Sequence, residues 1–176
     1  MNLFSMNSKA PRLPLTNNYW IADTARLVGD IYLEETVSVW FGAIIRGDNE
    51  PISIGSGTNI QENCILHTDN NYPLKVGSNC TIGHGAILHG CTIEDNCIIG
   101  MGAIVMNGAQ IGKNCIVGAR GLVTEEKKFL EKNKLILGIP AKVIRDLTSD
   151  ELQTINESAT SYQSKMRLFR DTLTRL

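Results

Sequence analysis

Residues 93–123 read IEDNCIIGMGAIVMNGAQIGKNCIVGARGLV, and within them Ile93, Ile99, Val105, Ile111, Val117 and Val123 stand six residues apart. The same step runs back through Ile21, Leu27, Leu33, Val39 and Ile45, then Ile54, Ile60 and Leu66, then Val76, Ile82 and Leu88. It breaks at 45→54 and 66→76, insertions of three and four residues, and at 88→93, a deletion of one. The residue four places after each aliphatic is usually small or apolar, as at Ala25, Ala43, Cys64, Cys80, Ala86, Thr92, Cys97, Ala103, Ala109 and Cys115. A step of six is neither the 3.6 of an amphipathic helix nor the alternation of an ordinary strand. It describes a short strand and a turn, repeated. Three such units close into a triangular coil with the aliphatic and its small partner pointing inward, and stacked coils bury one continuous core. The seventeen marked units make nearly six coils, a prism roughly 28 Å tall.

Around that prism, residues 1–20 read as a lead-in, 21–126 as the repeat, 127–147 as a connecting segment and 148–176 as a helix. The pattern stops after Val123, and the charged run 124–134 (TEEKKFLEKNK) is expected to form a loop or short helical turn. Thr148 and Glu151 have the spacing of a capping box. Leu152, Ile155, Ala159, Tyr162, Met166, Phe169, Leu173 and Leu176 follow at steps of three and four, one apolar stripe that would lie along the prism.

The chain has 176 residues, is 43% hydrophobic and 20% charged, and carries a formal net charge of -1. That balance excludes a disordered chain and a basic nucleic-acid footprint. No apolar run reaches membrane-spanning length, and residues 1–15 carry no secretory pattern, so a cytoplasmic location and reduced cysteines are expected. Cys64, Cys80, Cys97 and Cys115 occupy the small inward position. Cys91 reads as a coil-edge residue beside His89 and is not counted as a ligand.

Three histidines fall within 23 residues: His67, His84 and His89. His67 follows Leu66 and His89 follows Leu88, and three units separate them, so their imidazoles should project outward from one face, one coil apart. Cα atoms about 4.8 Å apart can bring two nitrogens to the roughly 3.3 Å that a tetrahedral zinc requires. His84 lies two places after Ile82, on the preceding face, around a corner. For all three to hold one metal, His84 must come from another chain, and trimeric closure suits this best. Three protein ligands leave a fourth position open, as in catalytic zinc sites. Neutral imidazoles suit zinc, cobalt(II) and iron(II) alike. Arg46 extends the column one coil below His67, with Asp48 two residues on.

The repeat resembles that of the hexapeptide-repeat proteins, which implies an all-β, left-handed parallel β-helix with the C-terminal α-helix packed along it. Ile45-Arg46-Gly47-Asp48, Asn59-Ile60-Gln61-Glu62, His67, His84 and Leu88-His89-Gly90-Cys91-Thr92 resemble, more narrowly, the γ-class carbonic anhydrases and their bacterial relatives. The resemblance implies a homotrimer with Zn2+ between subunits, held by two histidines of one chain and one of the next. It implies reversible hydration of carbon dioxide to bicarbonate by hydroxide drawn from metal-activated water. Arg46 and Asp48 would form an interface ion pair, Asn59 and Gln61 would bond the activated water and substrate, and Tyr162 would reach the site from the helix. The family's proton-shuttling glutamates are displaced here, leaving Glu50, Glu62 and Asp69 as candidates and slow turnover as an expectation. An acyltransferase or thioesterase acting on a coenzyme A thioester, with one histidine as general base, is the rival reading; a non-catalytic metal-binding trimer is the third.

Overall fold

The computed structural model describes residues 2–175. Three columns of parallel strands wind upward together. The first face stacks Leu27, Ile45, Leu66, Leu88, Val105 and Val123 in register. The second stacks Leu33, Ile54, Val76, Ile93, Ile111 and Phe129. The third stacks Ile21, Val39, Ile60, Ile82, Ile99, Val117 and Ile136. All of these except Ile21 are buried, and each fully buried aliphatic contributes about 1.5–3 kcal/mol. The three-residue insertion is taken up by a register shift between Gly29 and Ile31, and the aliphatic rows stay aligned on either side of it.

A three-sided coil must turn sharply at every corner, and left-handed backbone supplies the turn. Between the second and third faces the residues are Asn79, Asn96, Asn114 and Asn133, with φ of 54°, 56°, 54° and 61°. Asparagine tolerates this region because its short amide bonds locally. Here the amides also bond to one another: Asn96 donates to Asn114 across 3.2 Å and Asn114 to Asn133 across 3.0 Å.

Three features differ from the sequence reading. The repeat does not stop at Val123: Lys128–Phe129 pairs with Gln110–Ile111, and Lys134–Gly138 pairs with Ile116–Val117. The charges of 125–132 occupy exposed corner and outward positions, and Lys134 is half-buried, while Phe129 continues the inward row. Ala141–Asp146 then folds back antiparallel on Lys134–Gly138. Cys91 is not a coil-edge residue but a core one, 1% exposed. The one-residue deletion moves the small inward position to two residues before Ile93.

The helix runs Ser149–Thr172, so Leu173 is its C-cap, and Leu176 lies outside the described residues. Thr148 Oγ1 accepts from Glu151 N and Glu151 Oε2 accepts from Thr148 N, at 3.3 and 2.9 Å. Ile155, Ala159 and Met166 are buried, and the helix crosses the lower strands of the third face. Phe169 meets Trp40 and Trp20 edge-on, with ring centroids 4.9 and 5.4 Å apart. Among the described residues no helix is long and apolar enough to cross a membrane.

Candidate metal centre

The first face carries Arg46, His67 and His89 in one outward row, each the Cα partner of the next. His67 Nδ1 lies 2.9 Å from His89 Nε2. The outer nitrogen of each ring is held by the protein. His67 Nε2 is 3.0 Å from Asp48 Oδ1, and His89 Nδ1 is 2.8 Å from Asn107 Oδ1.

These partners assign the ring protons. Burial pushes the Asp48 carboxyl up, but its contacts with His67, with its own backbone and with Arg46 outweigh this and hold it below the ordinary value. An ionised carboxylate only accepts, so His67 Nε2 carries a hydrogen. Asn107 Nδ2 donates to Asp69 Oδ2 at 3.2 Å, which turns the amide oxygen toward His89, so His89 Nδ1 carries a hydrogen. With both rings neutral, the inner nitrogens are lone pairs facing each other, and a shared proton or a metal ion between them would join them. Two lone pairs at 2.9 Å repel unless positive charge lies between them. This donor set fits a divalent cation, and each imidazole has the outer-nitrogen acceptor typical of a metal-bound histidine.

His84 stands apart on the third-face corner, exposed. Its Nδ1 approaches Glu62 Oε2 to 2.6 Å, at an angle that leaves this shielded oxygen without a hydrogen bond. Among the described residues no three His, Cys, Asp or Glu side chains of one chain converge as a metal site. His67 and His89 are thus brought together, and His84 is not.

Asn59 and Gln61 are buried on the third face, near His84 rather than the paired imidazoles. Gln61 Nε2 donates to Asn59 Oδ1 at 3.1 Å, and Gln61 Oε1 accepts from His84 N at 3.2 Å. Asn59 Nδ2 is engaged by Cys80 O and Thr81 Oγ1. Tyr162 packs at 90° on Trp40, with centroids 5.3 Å apart. Burial, then the charge of Glu62, pushes its hydroxyl up. Glu50 braces a loop instead of facing the imidazoles: its Oε1 accepts from Asn71 N at 3.1 Å. Arg46 and Asp48 pair with each other within the chain. The cysteines are buried, and desolvation pushes Cys64 and Cys91 up to about 12, which keeps them thiols rather than thiolate ligands. Asn107 was not singled out by the sequence; counting one coil up from Gly90 along the corner reaches it.

Residues 90–124 match the family model described as bacterial transferase hexapeptide (six repeats). The chain is 47% identical over 148 residues to a probable carbonic anhydrase of Methanocaldococcus jannaschii, covering 84% of this chain and 92% of that protein. It is 38% identical over 170 residues to the mitochondrial γ-carbonic anhydrase 1 of Arabidopsis thaliana, covering 93% of this chain but only 60% of that longer protein. A hexapeptide transferase family protein from Anaplasma phagocytophilum superposes with a TM-score of 0.88 at 35% identity, covering 95% and 97% of the two chains.

Proposed function

Because the chain belongs to the γ-carbonic anhydrase family of hexapeptide-repeat proteins, with the left-handed parallel β-helix of that superfamily, we propose that it forms a homotrimer that binds a divalent ion between subunits and hydrates carbon dioxide reversibly to bicarbonate. The observation that carries this reading is the 2.9 Å approach of the inner nitrogens of His67 and His89, with Asp48 and Asn107 holding the outer ones. His67 and His89 of one subunit and His84 of the next would hold the ion, with Zn2+ as the first choice and Fe2+ or Co2+ chemically suited.

The first face supports assembly. Ile44, Ile65, Ile87, Ile104 and Leu122 form a second, outward row in register. Ile44, Ile65 and Ile104 are 43%, 42% and 36% exposed. Such an apolar strip marks an interaction surface. It lies between the corner that carries His84 and the edge that carries His67 and His89. Threefold packing along it gives each paired-imidazole edge a neighbour's His84 corner.

An ion held there would supply an acidified water at neutral pH. The chain's own residues do the rest. Gln61, fixed by Asn59, retains an amide hydrogen to donate and orients without taking a proton. Tyr162 and the aromatic floor beneath it exclude bulk water. Glu62, with its shielded Oε2 beside His84, would accept a proton and pass it outward, because Glu50 is committed to its loop.

The second reading, acyl transfer from a coenzyme A thioester, is favoured by the likeness to the Anaplasma transferase-family protein. It would use His84 as general base, aligned by Glu62, and needs no ion. A trimer that binds metal without catalysis is the remaining alternative. Stopped-flow hydration of carbon dioxide and thioester turnover, both on metal-analysed protein, separate the three. Hydration that falls in Gln61→Ala at unchanged metal content supports the first; thioester turnover by metal-free protein supports the second.

A further inference from the structure

We propose that Asn107 and Asp69 form a positioning relay that fixes His89 for the metal, and that the insertion breaking the repeat after Leu66 serves to deliver Asp69 to it. The proposal rests on the metal reading above and adds to it a loop and a corner residue.

The contacts run in one direction. Asp69 accepts from Asn107 Nδ2 at 3.2 Å, and Asn107 Oδ1 then accepts from His89 Nδ1 at 2.8 Å. Without Asp69 the amide could present either end to the ring; with it, only the oxygen faces His89, and Nε2 is left free. The space for this is made by Gly90, at φ +54°. A Cβ there would lie 2.4 Å from Asn107 Oδ1 and 2.6 Å from Tyr72 Cβ.

The loop is latched from several sides. Tyr72 N donates to Asp69 O at 2.9 Å, closing a tight turn. Tyr72 Oη donates to Glu126 Oε1 at 3.0 Å, three coils further along the ladder. From below, Asn49 Nδ2 donates to Thr68 O at 2.8 Å, and Glu50 Oε1 holds Asn71 N. An exposed loop that only bridged two faces would need none of these ties. This one is held where Asp69 reaches the Asn107 amide.

Zinc affinity, measured on the assembled protein by competition with a chromophoric chelator, tests the relay. Asn107→Ala should bind zinc about 10–100-fold more weakly, the usual cost of losing such a partner. The double exchange Asn107→Asp with Asp69→Asn should restore most of the affinity, because a carboxylate again accepts from His89 Nδ1 and an amide again donates to it. Nitrogen-15 NMR of the metal-free protein gives a readout that a merely structural role would not move. His89 should be protonated at Nδ1 in the wild type and shift toward Nε2 protonation in Asn107→Ala. Equal zinc affinity in wild type and Asn107→Ala, or an Nε2-protonated His89 in the metal-free wild type, overturns the relay. A wild type that takes up no zinc would refute the metal reading instead, and the tautomer, which needs no metal, would still decide the relay. If Asn107→Ala fails to fold, Asp69→Asn on its exposed loop replaces it, with several-fold weaker zinc binding expected and unchanged binding contradicting the role of Asp69.

Discussion

His67 Nδ1 and His89 Nε2 face each other across 2.9 Å, while Asp48 and Asn107 hold the far nitrogens of the same two rings. Stacking on a parallel ladder brings the rings together, and the acceptors behind them hold the hydrogen of each neutral ring on its far edge. A cation placed between the two nitrogens would satisfy both.

A site split between chains would have a consequence for mixtures. His67→Ala and His84→Ala homotrimers should each lack metal. Co-refolding them in equal amounts should restore about one site in four, since only a neighbouring pair with the intact halves facing each other is complete. Metal analysis of the mixed trimers measures this, and no recovery would count against a shared site.

The outward aliphatic row should govern assembly more than chain stability. Ile65 is 42% exposed, so Ile65→Asp should change the stability of the isolated chain by no more than about 0.5 kcal/mol. Buried among three subunits, the same carboxylate would be unpaired and costly. Sedimentation should show monomers, with metal lost and the β circular dichroism retained. A metal-loaded Ile65→Asp trimer would contradict the assignment of that face.

Gly90→Ala should be damaging on two counts. Its left-handed backbone costs a side chain about 1–3 kcal/mol, and the methyl group would sit 2.4 Å from Asn107 Oδ1. A fall in thermal midpoint together with weaker zinc binding is expected. Full zinc affinity would mean that Asn107 can move without consequence for His89.

The helix cap gives a pH signature. The contact with Arg145, then the bond from Thr148 N, holds the Glu151 carboxyl at about 2, from an ordinary 4.5. Because the folded value is the lower one, the stabilisation is complete above about 4.5 and disappears as pH falls toward about 2. The difference in thermal midpoint between wild type and Glu151→Gln should therefore narrow over that window. A difference independent of pH would rule out the charge as its source. Thr148→Ala should cost about 1 kcal/mol at neutral pH.

The period of six was enough to place His67 above Arg46 and below His89, because the aliphatic rows stay aligned on either side of the insertions. The same arithmetic separated His84 from the pair. It failed where counting crossed an irregularity. Forward from Leu88 the small position lands on Thr92, and only counting back from Ile93 lands on Cys91. The charges of Glu125, Glu126, Lys127 and Lys128 concealed a further strand, although outward and corner positions tolerate charge and Phe129 keeps the step. Asn107 was illegible for a different reason. Corner side chains follow no inward–outward alternation, and its partner Asp69 sits in a loop whose course the repeat does not specify.

Metal content of anaerobically purified trimers, determined by elemental analysis beside His67→Ala and His84→Ala, tests the shared centre most directly. One divalent ion per chain is expected in the wild type and none in either variant. Full retention of the ion in His84→Ala, or a wild-type trimer that takes up no divalent ion, would contradict it.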